Sequence, residues 1–369
     1  YIYVSHNLGR FTVPTSQLQQ GWMNTSAFSV IDVDKQEFLG AIVVDEPERG
    51  AAGIWSIACN DESVFISHPG THEVSVIDHK AMLEKFLNYP NKAVLDYDLT
   101  FLYGLRERIP LEGNGPRNMI LNGDKLIIPT YFADILNIMD INTNEVTSVE
   151  LNPGREETAE NKGERYFNDA SHCFQNWQSC NGCHPGDART DGMNWDLMND
   201  GVGNSKNCKS MLFSHMTPPN MISGIREHAE RAVRAGFNFI QFFEVSEEDA
   251  ACVDAYLKSL RPVPSPYLVN GELSDLAKEG QKVFEKLKCG ECHSGVYYTD
   301  MKYHRIGEDI EFEKGWDTPT LREVWRTAPY LFDGRAATMK EVFSVHKHGI
   351  EKKVSEKDIE ALTEYVNSL

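Results

Sequence analysis

Two short stretches of the chain carry the same chemistry. CNGCH places Cys180, Cys183 and His184, and CGECH places Cys289, Cys292 and His293, in the spacing C-x-x-C-H. This is the pattern of c-type haem attachment, in which two cysteines form thioether bonds to one porphyrin and the adjoining imidazole binds its iron. A zinc pair would draw on the same residue types, yet two copies in matching contexts favour haem. Two covalently bound haem c groups are therefore expected. What occupies the far face of each iron then separates an electron carrier from an enzyme.

The elements that must position these residues are duplicated. Cys180 and Cys289 lie 109 residues apart, and the same displacement relates SEEDAACVDAYLKSL (Ser246–Leu260) to SEKDIEALTEYVNSL (Ser355–Leu369). Each reads as a closing helix with a serine N-cap and an acidic first turn; its apolar face in the second copy is Ile359, Leu362, Tyr365, Val366 and Leu369. The helix leading into the second motif, LAKEGQKVFEKLK, offers Val283, Phe284 and Leu287 for packing. A third matched segment, displaced by 110, sets TPPNMISGIREHAERAVRAG (Thr217–Gly236) against TAPYLFDGRAATMKEVFSVH (Thr327–His346). It ends on Gly236 in the first copy and on His346 in the second. An imidazole ligates iron and a glycine cannot, so the second haem is expected to be six-coordinate through His293 and His346, and the first to keep an open face. His348, in the same HKHG run, is the less favoured ligand, and without the repeat both histidines would read as surface residues near a helix end.

TPTLREVWRTAPYLFDGRAATMKEV (Thr318–Val342), which follows the second motif, carries a resemblance to the bacterial dihaem cytochrome c peroxidases and their MauG relatives. The resemblance covers roughly Glu164 to Leu369, with both motifs and both T-x-P segments in order. It implies one haem that reacts with hydrogen peroxide, a six-coordinate haem that stores and relays an electron, a tryptophan between them and a calcium ion. Carried over residue by residue, it makes Asn220 the amide and Glu230 the acid of the peroxide pocket, with Glu230 moving a proton during O–O cleavage. The alternative for Glu230 is an exposed acid on the helix REHAERAV. His215, in SHMTPP, is a second pocket candidate or a mobile ligand of the first iron. Trp195, in RTDGMNWDL, is the expected bridging aromatic, with core packing as its alternative. Calcium would take the backbone carbonyls of Thr327 and Pro329 and the side chain of Asn194. Two positions depart from the family. His346 stands where the peroxidases carry Met and MauG carries Tyr, which lowers the expected potential of the second haem; Phe332 stands where the family has a histidine before Asp-Gly.

Upstream the texture changes to alternating apolar strands. SAFSVIDVDKQEFLGAIVV, HEVSVIDHKAMLEKF and DILNIMDINTNEVTSVEL repeat loosely, each with an aspartate (Asp32, Asp78, Asp140) between a strand and a turn. They resemble blades of the surface-layer type of β-propeller. The expected fold is multidomain: an all-β, propeller-like region of about three blades over residues 1–155, then two mainly α cytochrome c-type haem domains in tandem, 156–266 (peroxide-reacting) and 267–369 (electron relay). That is fewer blades than a closed propeller uses, so either upstream sequence is missing or the blades pack against something else. His68 and His72, in HPGTH, read as solvated side chains before a metal pair.

Composition sets the partners. A net charge of -19 and the lack of a basic cluster argue against nucleic acid and anionic membrane, and favour a basic partner protein. No apolar run reaches the length of a transmembrane span. The chain opens at Tyr1 with neither an initiator Met nor a signal peptide, as a processed or trimmed chain would. Covalent haem points to an exported, periplasmic or cell-surface protein. There Cys173 and Cys208, which flank the first motif, have the option of pairing, while Cys59 and Cys252 read as core residues. The expected activity is a peroxide-reacting dihaem oxidoreductase, either a peroxidase fed by a small redox protein or an oxidant of a protein substrate. The alternatives are a dihaem electron-transfer cytochrome without turnover and a binding propeller with structural haems.

Overall fold

The N-terminal alternation of apolar and polar residues folds as three antiparallel sheets. A computed structural model describes residues 1–10, 23–196, 201, 206–306 and 313–369. The first sheet orders β1 (Ile2–Gly9), β2 (Asn24–Asp32) and β3 (Glu37–Val43); the second orders β4 (Ile57–Cys59), β5 (Ser63–His68), β6 (Glu73–Asp78) and β7 (Arg106–Pro110). The third contains β8 (Ile120–Asn122), β9 (Lys125–Pro129), β10 (Ile135–Asp140) and β11 (Val146–Glu150). Period-two alternation lets the middle sheet serve two cores. Val64 and Ile66 of β5 pack with Phe28, Ile42 and, from helix α1 (His79–Leu87), Met82 and Phe86. Phe65 between them packs with Leu126, Ile128 and Met139. Among the described residues these sheets close neither a barrel nor a propeller.

The recurring aspartates have a local cause. Asp32 accepts from the Lys35 amide at 3.0 Å, Asp78 caps α1 through the Ala81 amide at 2.9 Å, and Asp140 accepts from the Asn142 amide at 2.9 Å. A short carboxylate that satisfies the backbone just ahead starts a strand-to-strand turn at Asp32 and Asp140 and a helix at Asp78. Three expectations are corrected here. His68 is buried rather than solvated, between the Ala51 carbonyl at 3.0 Å and Ser75 Oγ at 2.8 Å. His72 is not simply solvated either: its Nε2 lies 3.1 Å from Asp169 Oδ1. Cys59 is exposed at the end of the three-residue β4, whereas Cys252 is buried as expected.

The chain divides into two compact units, Tyr1–Gly182 with Gly236–Val253 and Cys183–Ala235 with Asp254–Leu369. The helices are α2 (Ala159–Asn168), the single turn α3 (Pro185–Ala188), α4 (Ala229–Phe239), α5 (Glu247–Ser259), α6 (Asp275–Lys286), α7 (Met339–Ser344) and α8 (Glu356–Asn367). Two-residue strands β12 (Asn194–Trp195) and β13 (Lys206–Asn207) pair, as do β14 (Leu268–Val269) with β15 (Glu272–Leu273) and β16 (Tyr303–His304) with β17 (Trp316–Asp317). The serine caps form: Ser246 Oγ accepts from the Asp249 amide at 3.1 Å, and Ser355 Oγ from the Asp358 amide at 3.1 Å.

In the second unit α6 crosses α8 at close range because Gly280 has no side chain; a Cβ there would lie 1.8 Å from the Ala361 carbonyl oxygen. The crossing buries Val283, Phe284, Leu362, Tyr365 and Val366, with Phe284 and Tyr365 edge to face at 5.4 Å. No described helix is long and apolar enough to cross a membrane.

Candidate haem sites

The second motif is presented by α6, which delivers a turn over Cys289–Glu291 directly after its last residues. Burial pushes the Cys289 thiol up to about 11. His293 Nδ1 meets the Tyr298 carbonyl at 3.1 Å, and burial holds the imidazole below its ordinary range. A neutral ring that donates through Nδ1 keeps the Nε2 lone pair for a metal. Facing it, with ring centres 6.3 Å apart, is His348, which burial and the neighbouring His293 push down to about 4. Two metal–nitrogen bonds of about 2 Å each, added to the reach from each nitrogen to its ring centre, give about this separation.

The structure brings His348 to His293, where the sequence alignment favoured His346. The reason is local: α7 ends at Ser344, and Lys347 takes a φ of 48°, so the chain reverses before it returns over the motif.

The first motif is divided between the two units, with Cys180 in the first and Cys183 and His184 in the second. Burial pushes the Cys180 thiol up to about 12, and Gln241 Nε2 lies 3.6 Å from its sulfur. His184 repeats the arrangement of His293: Nδ1 meets a carbonyl five residues on, that of Arg189, at 3.1 Å, and burial lowers the imidazole. Arg189 is itself locked, with Nε on Glu323 Oε2 at 2.6 Å, the two side chains 4% and 1% exposed, and Nη2 on the Arg261 carbonyl at 2.9 Å. Cys208 Sγ lies 3.6 Å from His184 Nδ1 and 3.3 Å from the Cys183 carbonyl. The optional Cys173–Cys208 pair does not form: neither cysteine is in a disulfide, and Cys173 packs with Val43, Leu99 and Trp177.

The duplication extends to individual hydrogen bonds. Asp191 Oδ2 accepts from Trp195 Nε1 at 2.9 Å, and Asp300 Oδ2 meets His304 Nε2 at 2.8 Å. Thr190 Oγ1 donates to the Cys208 carbonyl at 2.7 Å, and Thr299 Oγ1 to the Thr318 carbonyl at 2.6 Å. Isolated bridges join Asn220 to Arg226 and Tyr330 to Ala336. Trp195 is thus buried with its N–H fixed, and His304 is its counterpart in the second copy. Sequence reading missed Asp191, Asp300, His304, Arg189 and Glu323; the aspartates stand at the same 109-residue displacement as the cysteines and were open to discovery by it.

The three pocket candidates are placed differently. Asn220, with its amide oriented to satisfy both atoms, accepts from the Ala229 amide at 3.0 Å and donates to the Ser214 carbonyl at 3.1 Å, so it caps α4. Glu230, 44% exposed, pairs with Lys258 at 3.1 Å. His215 is 1% exposed, and its Nε2 meets Asp254 Oδ1 at 3.0 Å. Arg234 bonds the other Asp254 oxygen. Burial alone would raise Asp254, but the bonds from His215 and Arg234 outweigh it and hold the carboxyl below its ordinary range.

At the expected calcium ligands, Asn194 Nδ2 donates to the Asp333 carbonyl and Asn207 Nδ2 to the Pro329 carbonyl. Asn194 Oδ1 is buried without a partner. A Cβ on Gly334 would come within 3.0 Å of both that oxygen and the Pro329 ring, which places Asn194 beside Pro329. Among the described residues no group of three His, Cys, Asp or Glu side chains is arranged to hold a metal ion.

Small antiparallel sheets, joined to a second unit in which helices cross beside a C-x-x-C-H motif, define a multidomain protein with two such motifs. No protein-family model matches the chain. The gamma subunit of hydrazine synthase from Kuenenia stuttgartiensis is 27% identical over 272 residues, which cover 56% of this chain and 76% of that subunit. A solved structure of K. stuttgartiensis hydrazine synthase under xenon pressure matches with a TM-score of 0.52 and 23% identity, over 59% of this chain and 89% of that one, and shows a shared fold over that part. A MauG-like protein associated with microbial copper homeostasis aligns at a TM-score of 0.46 and 18% identity, over 60% of this chain and 91% of that one.

Proposed function

We propose that the chain is a dihaem c-type oxidoreductase in which a small substrate meets the haem on His184 and the haem on His293 and His348 relays electrons. The observation that supports this most strongly is the second site, where two half-buried imidazoles lie with ring centres 6.3 Å apart, so that His293 and His348 would together hold one iron. Haem iron, when bound, would supply the electron exchange at both motifs. The Arg189 and Tyr298 carbonyls fix the tautomers of the proximal rings, so that each presents Nε2. At the position matching His348 the first copy has Asn238, an amide, which favours an open face there.

His215 with Asp254 is the buried pair able to hold a proton and return it, and its burial favours it over Glu230 in that role. Trp195 remains the aromatic proposed to carry electrons between the sites. The unpartnered Asn194 oxygen supports calcium among Asn194, Thr327 and Pro329. We retain residues 1–155, 156–266 and 267–369 as the functional division, and an exported, periplasmic or cell-surface location, because haem c is attached outside the bacterial cytoplasm. A small redox protein with a basic face suits the acidic chain.

Hydrogen peroxide is the first substrate reading. Small nitrogen compounds are the second, favoured by the identity to the hydrazine synthase gamma subunit. Rapid mixing of the oxidised and the half-reduced protein with peroxide, and separately with hydrazine, tests both. The expected result is a fast change of the haem spectrum with one class, slowed about 100-fold or more in His215→Asn. No spectral response to either class would overturn the proposal.

A further inference from the structure

We infer that Arg117, in the first unit, forms the floor of a binding site for a planar monoanion of the carboxylate type. Its guanidinium carbon lies 3.8 Å from the ring centre of Tyr131, 4.6 Å from that of Trp55 and 5.2 Å from that of Phe132. Backbone geometry builds this cage. The Tyr131 amide donates to the Gly115 carbonyl at 2.9 Å and the Phe132 amide to the Asn114 carbonyl at 3.1 Å. Gly115, with φ of 73°, leaves the space that the Phe132 ring occupies; a Cβ there would meet the ring at 2.4 Å. Ser67 Oγ donates to the Arg117 carbonyl at 2.6 Å and ties the floor to β5.

The cation in this cage lacks what its neighbours have. Arg10, Arg49, Arg106, Arg108, Arg155 and Arg165, the other arginines of the unit, each pair with an aspartate or glutamate. Arg117 Nε is buried without a partner, and among the described residues no carboxylate pairs with the guanidinium. In a chain of net charge -19 this is not for want of acids. Three ring centres lie within 5.2 Å of the guanidinium carbon, and a guanidinium bonds through its in-plane N–H groups, a flat fork that matches the two oxygens of a flat anion. One cation suits a single charge better than a phosphate dianion does. Trp55 and Tyr131 are 44% and 52% exposed, so the rim is open to a ligand.

Titration calorimetry of the intact holoprotein at constant ionic strength tests the site, with sodium acetate, sodium chloride, and a short peptide carrying either a free or an amidated C-terminus. Saturable binding of acetate, absent with chloride, identifies a free small anion. Binding of the free-ended peptide alone identifies a carboxylate offered by a partner chain. In either case Arg117→Met should weaken binding by about tenfold or more and Arg117→Lys, which keeps the charge and loses the fork, by several-fold, with the haem spectrum unchanged. The inference is overturned if neither acetate nor the free-ended peptide binds, or if binding persists undiminished in Arg117→Met. It does not depend on the reading of the haem sites.

Discussion

The two motif-bearing halves use one frame for two ends. In both, a proximal histidine gives Nδ1 to a carbonyl five residues later, an aspartate anchors the ring N–H of a residue four further on, and a threonine hydroxyl closes the loop. They diverge beyond that frame. The second half sets His348 against His293, whereas the first has Asn238 at the matching position and invests its buried charges in His215–Asp254–Arg234 and Arg189–Glu323. Duplication has kept what orients a proximal ligand and released what stands opposite it. On the proposed reading the difference is one of coordination, hence of what each iron would be free to do.

The largest expected effect breaks the second half alone. His348→Ala should abolish the six-coordinate, low-spin signature of the haem on His293, while His346→Ala should leave it intact, as read by absorption and magnetic circular dichroism. Next is the buried pair of the first half. Glu323→Gln leaves the Arg189 guanidinium buried without a counter-charge and should cost about 3–5 kcal/mol by urea denaturation. It should also disturb the spectrum of the haem on His184 more than that on His293, because Arg189, which that carboxylate holds, carries the carbonyl that meets His184 Nδ1.

Acid should weaken the second half of the haem-free chain more than the first. His348 is held near 4 when folded, and an unfolded histidine titrates near 6.5, so between these values the unfolded chain binds the extra proton. Its contribution is complete above about pH 6.5 and is lost as pH falls toward 4, up to roughly 3 kcal/mol. His293 is shifted in the same direction, so the second half holds two such rings, and the first has one in His184. Hydrogen exchange at pH 7 and pH 5 should show the greater loss of protection in α6 and α8. The smallest effect belongs to Glu230→Gln: its partner Lys258 is as exposed as it is, so stability should change by less than about 1 kcal/mol. The reaction rate should change far less than in His215→Asn.

Much of this frame was legible because duplication leaves marks in sequence. The motifs themselves located the proximal histidines, their offset located the closing helices with Leu362 and Tyr365, and the apolar spacing of the helix before the second motif located Val283 and Phe284. The strand texture located the aspartate-led turns, and Arg117 lay unnoticed because a cage needs residues brought from three separate stretches. His348 ranked behind His346 because an alignment counts residues and does not see that α7 stops at Ser344 and that Lys347 takes a positive φ. Glu230 was a plausible acid at the right offset, but its helix turns it toward Lys258, and no local pattern announces which face of a helix meets solvent when both neighbours are charged. Asp254 reaches His215 from α5, a long-range contact that spacing alone does not reveal.

Low-temperature electron paramagnetic resonance of the fully oxidised holoprotein tests the central claim most directly. The account predicts two unequal haem signals: a low-spin ferric signal of a bis-imidazole site, lost in His348→Ala and kept in His346→Ala, and a second signal, high-spin or exchangeable with added ligand, unaffected by either substitution. Two equivalent low-spin signals, or a bis-imidazole signal that survives His348→Ala, would contradict it.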